Sequence, residues 1–226
     1  MIQRYPSVCI LVVILTAGSA AADTPSYVGG LASEGTIAGL VGSGLWITPG
    51  PTMIGWHVIQ DTSGFWNYSY TFGDPPPIPT SAIVQCSRGL SSDGLQDVLG
   101  DFTSYGVGQF DPGPSYPGLP GSIYGIKFDG VTKINAVMHF HCWSAPVWGN
   151  VYGMDGNLGG ADNYVYNSTF LDPQPTEPPA NGSVRNHVLT PDSPIPDAST
   201  LVLAGCGAAP ALIFWRRRSG ASPAGT

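Results

Sequence analysis

The chain has 226 residues, with 15 acidic and 8 basic side chains, 31 Gly and 22 Pro. Residues 23–200 hold only Arg88, Lys127, Lys133 and Arg185 against all 15 acids, which gives that stretch a net charge of −11. The balance argues against nucleic acid and anionic lipid as its partners, since both need a basic face. It suits solubility, divalent cations or neutral glycans.

In chain order, the first 22 residues read as a signal peptide. Arg4 forms a positive n-region, Val8–Ala17 an apolar run, and Ala20-Ala21-Ala22 an A-x-A cleavage site. The run is short for an uncleaved anchor, so the mature chain is expected to begin near Asp23. Residues 23–171 form one domain of sufficient length for a real core. Thirteen of the acids are Asp, a residue of turns and caps rather than helix interiors.

Gly29–Gly44 is rich in small residues and has little period. Met53–Ile59 reads as a strand. Phe65–Phe72 gives the clearest one, with Trp66, Tyr68, Tyr70 and Phe72 on one face and Asn67, Ser69 and Thr71 on the other. Asp74-Pro75-Pro76-Pro77 stops it. Ser81–Ser87 is a further strand, and Gly94–Leu99 the only plausible short helix. Asp111–Gly121 is a loop. Ser122–Phe128, an Asp129-Gly130 turn, Thr132–Trp143, Val147–Met154 and Asn163–Phe170 complete the set. Frequent turns with no alternation of strand and helix predict an all-β fold, an antiparallel β-sandwich of jelly-roll or immunoglobulin-like type. A signal helix and a C-terminal transmembrane helix are expected to flank it. Residues 172–192 read as a Pro-rich linker.

Residues 193–218 have the order of a sorting tail. A short polar motif, Pro196-Asp197-Ala198-Ser199-Thr200, precedes an apolar helix over 201–215 and a basic stop, Arg216-Arg217-Arg218. Residues 219–226 would follow in the cytoplasm, by the positive-inside rule. The span is shorter than the usual length of about 20 residues, and Gly205, Gly207 and Pro210 weaken it, which suits a transient anchor.

This order resembles the PEP-CTERM tail of bacterial surface proteins. Pro196-Asp197-Ala198 stands in place of the usual Pro-Glu-Pro, and Ser199-Thr200 matches. The body is similar to a recurrent domain of the same group. The likeness runs through Trp66-Asn67-Tyr68-Ser69-Tyr70, Tyr124–Asp129, Ala145–Tyr152 and Tyr164–Asn167, and covers most of residues 46–171. The resemblance implies an extracellular β-sandwich, processing by exosortase, a precursor held in the inner membrane by the C-terminal helix, and association with extracellular polysaccharide. It implies no catalytic residues.

No nucleophile elbow, phosphate loop or His-Glu-x-x-His motif occurs. The chain is therefore read as a non-enzymatic structural or adhesive module with no cofactor. Alternatives are a carbohydrate-binding module and a metal-dependent enzyme. For the first, Trp143 and Trp148 flank a Pro-containing turn and can present rings to sugars. For the second, His139 and His141 share one strand face and can bind zinc or copper, with His57 or an Asp as a third ligand. The plainer reading is a solvent-facing pair opposite buried Phe140 and Cys142. Asp155-Gly156-Asn157 with Asp162-Asn163 can hold calcium or be a plain polar turn. Cys86 and Cys142 can form a disulfide in an oxidising compartment or stand as two buried thiols.

Overall fold

The computed structural model describes residues 24–46, 52–73, 79–156 and 163–192. The signal segment, the sorting motif, the apolar run, the basic stop and residues 219–226 lie outside them. In chain order the strands are β1 Ser26–Ala32, β2 Leu40–Gly42, β3 Met53–Gln60, β4 Trp66–Gly73, β5 Ser81–Gln85, β6 Gln96–Gly100, β7 Ser104–Phe110, β8 Ile123–Asp129, β9 Ala136–Cys142, β10 Ala145–Gly149, β11 Val151–Gly156, β12 Asn163–Asn167 and β13 Val188–Asp192. Among the described residues the helical elements are two 3-10 turns, Gly44–Trp46 and Ser92–Gly94, and none is long and apolar enough to cross a membrane.

The strands make a five-stranded sheet in the order β1-β3-β4-β9-β6, a six-stranded sheet in the order β2-β12-β11-β5-β8-β7, and the pair β10-β13. Every strand pairing is antiparallel. The protein is thus all-β, as the turn-rich sequence predicts, and its sheets share a core, an arrangement consistent with a β-sandwich.

Strand β4 shows why. Its inner face carries Trp66, Tyr68, Tyr70 and Phe72, all buried, while the intervening residues are half-buried. The rings meet Phe140 of β9, with centroids 5.1 Å from Tyr68 and 6.1 Å from Tyr70. Phe140 in turn stacks on Phe128 of β8 in the opposite sheet, 6.3 Å away. Aromatic rings of this size supply most of the apolar area that holds two sheets together. Close packing also explains Gly29. A Cβ there would lie 2.2 Å from the Trp56 ring, so the indole covers a bare backbone.

The structure corrects three expectations. Gly94–Leu99 is no helix: the 3-10 turn ends at Gly94, and β6 pairs with β9, so ladder hydrogen bonds and the packing of Val98 on the core override local preference. The strand expected from Thr132 begins at Ala136, because Asn135 takes a left-handed φ of 55° just before it. The linker expected over 172–192 ends in β13. Val188 and Leu189 are fully buried there, and the strand pairs with β10 from Ala145↔Asp192 to Gly149↔Val188. Proline occurs within this strand at 191, opposite Pro146, where the chain is an edge of a two-stranded pair and a missing donor is tolerated.

Candidate functional site

The β9 strand and the turns at its ends position most of the side chains singled out in the sequence. On β9 the inner face buries Ala136, Met138, Phe140 and Cys142, and the outer face carries Val137, His139 and His141. The two imidazoles meet edge to face, with their Nε2 atoms 2.7 Å apart. Their Nδ1 atoms face other groups. His139 Nδ1 lies 2.9 Å from Ser69 Oγ on neighbouring β4, and His141 Nδ1 lies 3.4 Å from Asp97 Oδ2 on β6.

Asp97 reaches the pair through a β-bulge. Gln96 pairs with His141 and Leu99 with His139, so two residues of β6 oppose Phe140 alone. Asp97 adopts a φ of 47°, a conformation non-glycine residues seldom hold. Bulges of this kind turn a side chain to a new direction. Here the bulge places the carboxylate on the outer face beside His141. Burial, and the neighbouring His141, hold the His139 imidazole below its ordinary pKa, with Asp97 opposing the shift. His57 lies in the same cross-strand row, opposite Ser69. Its Nε2 instead bonds Ser26 Oγ at 3.2 Å, away from the pair. Among the described residues no three His, Cys, Asp or Glu side chains cluster as a metal site.

The two tryptophans part company. Trp143 is 61% exposed and lies against Phe65, with ring centroids 3.7 Å apart. The turn beneath is held by Asp61, whose Oδ1 accepts from the Ser63 and Phe65 amides at 2.8 and 3.0 Å. Gln60 Nε2 donates to the Gly64 carbonyl at 3.2 Å. Trp148 is buried at 1% exposure, which removes it as a surface residue. Strand alternation on β10 turns it inward with the core.

Asp155 is also buried, at 1% exposure, with Asn163 and its own backbone N–H beside the carboxylate. Burial pushes its carboxyl up to about 6. Asn157 and Asp162 lie outside the described residues. Cys86 and Cys142 are both buried and free, and burial pushes their thiols up to about 12 and about 11. Of the two readings open from the sequence, the structure holds separate thiols.

Sequence reasoning found the histidine pair but missed the partners. The bulge carrying Asp97 lies where a helix was expected, and Ser69 was read only as a solvent-facing strand residue. A cleft of about 410 Å³ was also missed. It opens beside Gln85, Arg88, Gln109, Tyr124, Gln174 and Asp192, residues that five separate chain segments bring together. Compared with known protein families, with curated proteins and with solved structures, the chain matches none.

Proposed function

We propose that this is an exported cell-envelope or extracellular-matrix protein, sorted through its PEP-CTERM-like tail, whose domain is a non-enzymatic structural or adhesive β-sandwich in contact with polysaccharide. The sorting part of the reading rests on residues 196–218 of the sequence. Contact with polysaccharide rests on one structural observation, the exposed Trp143 ring backed by Phe65 on a braced turn. A large ring held rigidly in water has little conformational entropy left to lose and offers an apolar face to a pyranose ring. The net charge of −11 between residues 23 and 200 favours neutral glycans over acidic ones. The sandwich would be of jelly-roll or immunoglobulin-like type.

Two measurements test the parts separately. The intact mass of native protein is read in each cell fraction. A chain ending between Pro196 and Ser199 outside the inner membrane supports sorting, while a chain that keeps Arg216–Arg218 and stays in the membrane refutes it. Retention on immobilised matrix glycans is then compared for the wild type and Trp143→Ala. Loss of retention with an unchanged melting temperature supports the platform. No retention of the wild type on any neutral glycan removes it.

A further inference from the structure

We infer that His139 and His141, oriented by Ser69 and Asp97, form a binding site for one borderline divalent transition ion, of the zinc, nickel or copper class. The inference is independent of the polysaccharide reading and rests on different side chains.

An imidazole that holds metal through Nε2 commonly gives its Nδ1–H to a carboxylate, carbonyl or hydroxyl oxygen, which fixes the tautomer and aims the ring. Both rings have an oxygen placed at Nδ1, by a hydrogen bond for His139 and by an ion-pair contact for His141. His139 Nδ1 faces Ser69 Oγ at 2.9 Å, and His141 Nδ1 faces Asp97 Oδ2 at 3.4 Å. With both Nδ1 atoms as donors, two Nε2 lone pairs point at each other across 2.7 Å. Two lone pairs at that distance repel unless a cation lies between them. Without metal, a single proton fills the role. It sits on one Nε2 and is accepted by the other, and the Ser69 hydroxyl turns to donate to His139 Nδ1. An ion entering the site displaces that proton from Nε2, His139 is protonated at Nδ1 in its place with no net release, and the Ser69 hydroxyl turns back to accept.

The site needs little rearrangement to accept the ion. Two nitrogens on one tetrahedral zinc stand about 3.3 Å apart, so the rings open by a fraction of an ångström. Both side chains are half-buried on the outer face of the sheet. Their placement on one rigid strand at i and i+2 sets the bite. The bulge adds a second, independent sign. Asp97 holds a left-handed φ of 47°, and such conformations cluster where the surroundings impose them. Here it brings the Asp97 carboxylate into contact with the pair. Two protein nitrogens leave the remaining coordination positions to water, which fits an uptake or adhesion site better than a closed structural one. Copper is expected to bind tightest.

The test uses the full chain in detergent, stripped with chelator and titrated with Zn²⁺, Ni²⁺ or Cu²⁺ alone. Bound metal is counted after gel filtration. One ion per chain is expected. His139→Ala and His141→Ala are each expected to lose it, and His57→Ala to keep it. Asp97→Asn should weaken binding about 10- to 100-fold while leaving both ligands in place, which a purely structural role would not do. Melting curves of each variant check the fold. The inference is overturned if the wild type retains no ion, leaving the shared proton as the pair's sole occupant. It is equally overturned if both histidine variants retain the metal.

Discussion

The Tyr70 hydroxyl donates to the Leu189 carbonyl oxygen at 2.7 Å in the buried core. The bond joins the middle of β4 to β13, 119 residues later in the chain. It makes the segment beyond residue 172 part of the domain. Tyr68 repeats the device, donating to the Ser144 carbonyl at 2.8 Å. Each ring thus fills the core and satisfies its own polar end, the condition for burying a tyrosine. Burial drives both phenols well above their ordinary pKa, so they remain neutral donors.

The first prediction follows from that bond. Tyr70→Phe is expected to cost about 1 to 2 kcal/mol, because it leaves a buried carbonyl with one partner fewer. Ending the chain after His187 removes the buried Val188, Leu189 and Thr190 and should abolish cooperative unfolding. Ending it after Asp192 should leave the melting temperature unchanged. Chemical denaturation of the three chains checks this. Cooperative unfolding of the shortest one would show that β13 is dispensable.

A second prediction concerns pH and two buried groups of opposite sign. Asp155 has its carboxyl raised from 3.8 to about 6 by burial. The folded chain therefore holds that proton more tightly than the unfolded one. Its contribution is full below about pH 4 and is lost as pH rises through about 6. Asp155→Asn should stabilise the protein by about 2 kcal/mol at pH 8 and do nothing near pH 4.

His187 behaves in the reverse sense. It is fully buried, its Nδ1 lies 2.9 Å from the Arg185 carbonyl oxygen, and among the described residues Nε2 has no partner. Burial holds its imidazole below the ordinary value, against the pull of the Arg185 and Val184 carbonyls. Protonation would bury a second N–H with nothing to receive it. Its contribution is full above about pH 6.5, where an unfolded histidine is neutral, and falls as pH drops below that. Urea titrations across pH, with ring NMR of His187, read both effects. A His187 ring that charges at or above the pKa of free histidine would contradict the burial argument.

Thiol chemistry gives the third prediction. Cys86 and Cys142 are buried, and burial raises both thiols to about 12 and about 11. The thiolate is the reactive form, so neither residue should alkylate in the folded protein at pH 8. Both should react once urea opens the core. Peptide mapping after brief iodoacetamide treatment separates the cases. Rapid labelling without urea, or a mass short of two hydrogens with the residues joined, would contradict the free buried pair.

Much of this protein was legible before any fold was known, because strand alternation is written locally. Trp66, Tyr68, Tyr70 and Phe72 announce an inner face at every second residue, and His139 and His141 share a face by the same period. Turn chemistry set Asp129-Gly130, where Gly130 takes a φ of 61°. Acidic composition, many glycines and the absence of helical periodicity fixed the all-β class.

What depended on distant partners was not legible. A strand such as β13 has no alternation of its own, since Val188, Leu189, Thr190 and Pro191 are all buried. It becomes a strand only because β10 offers hydrogen bonds and the core offers apolar surface. Trp143 and Trp148 look alike in the sequence, yet the pleat of β10 sends one into the core while the turn leaves the other in water. The bulge that brings Asp97 to His141 also needs β9 as its template. Local periodicity therefore determined which residues face one another along a strand. Only pairing between strands far apart in the chain decided which of them meet at a site.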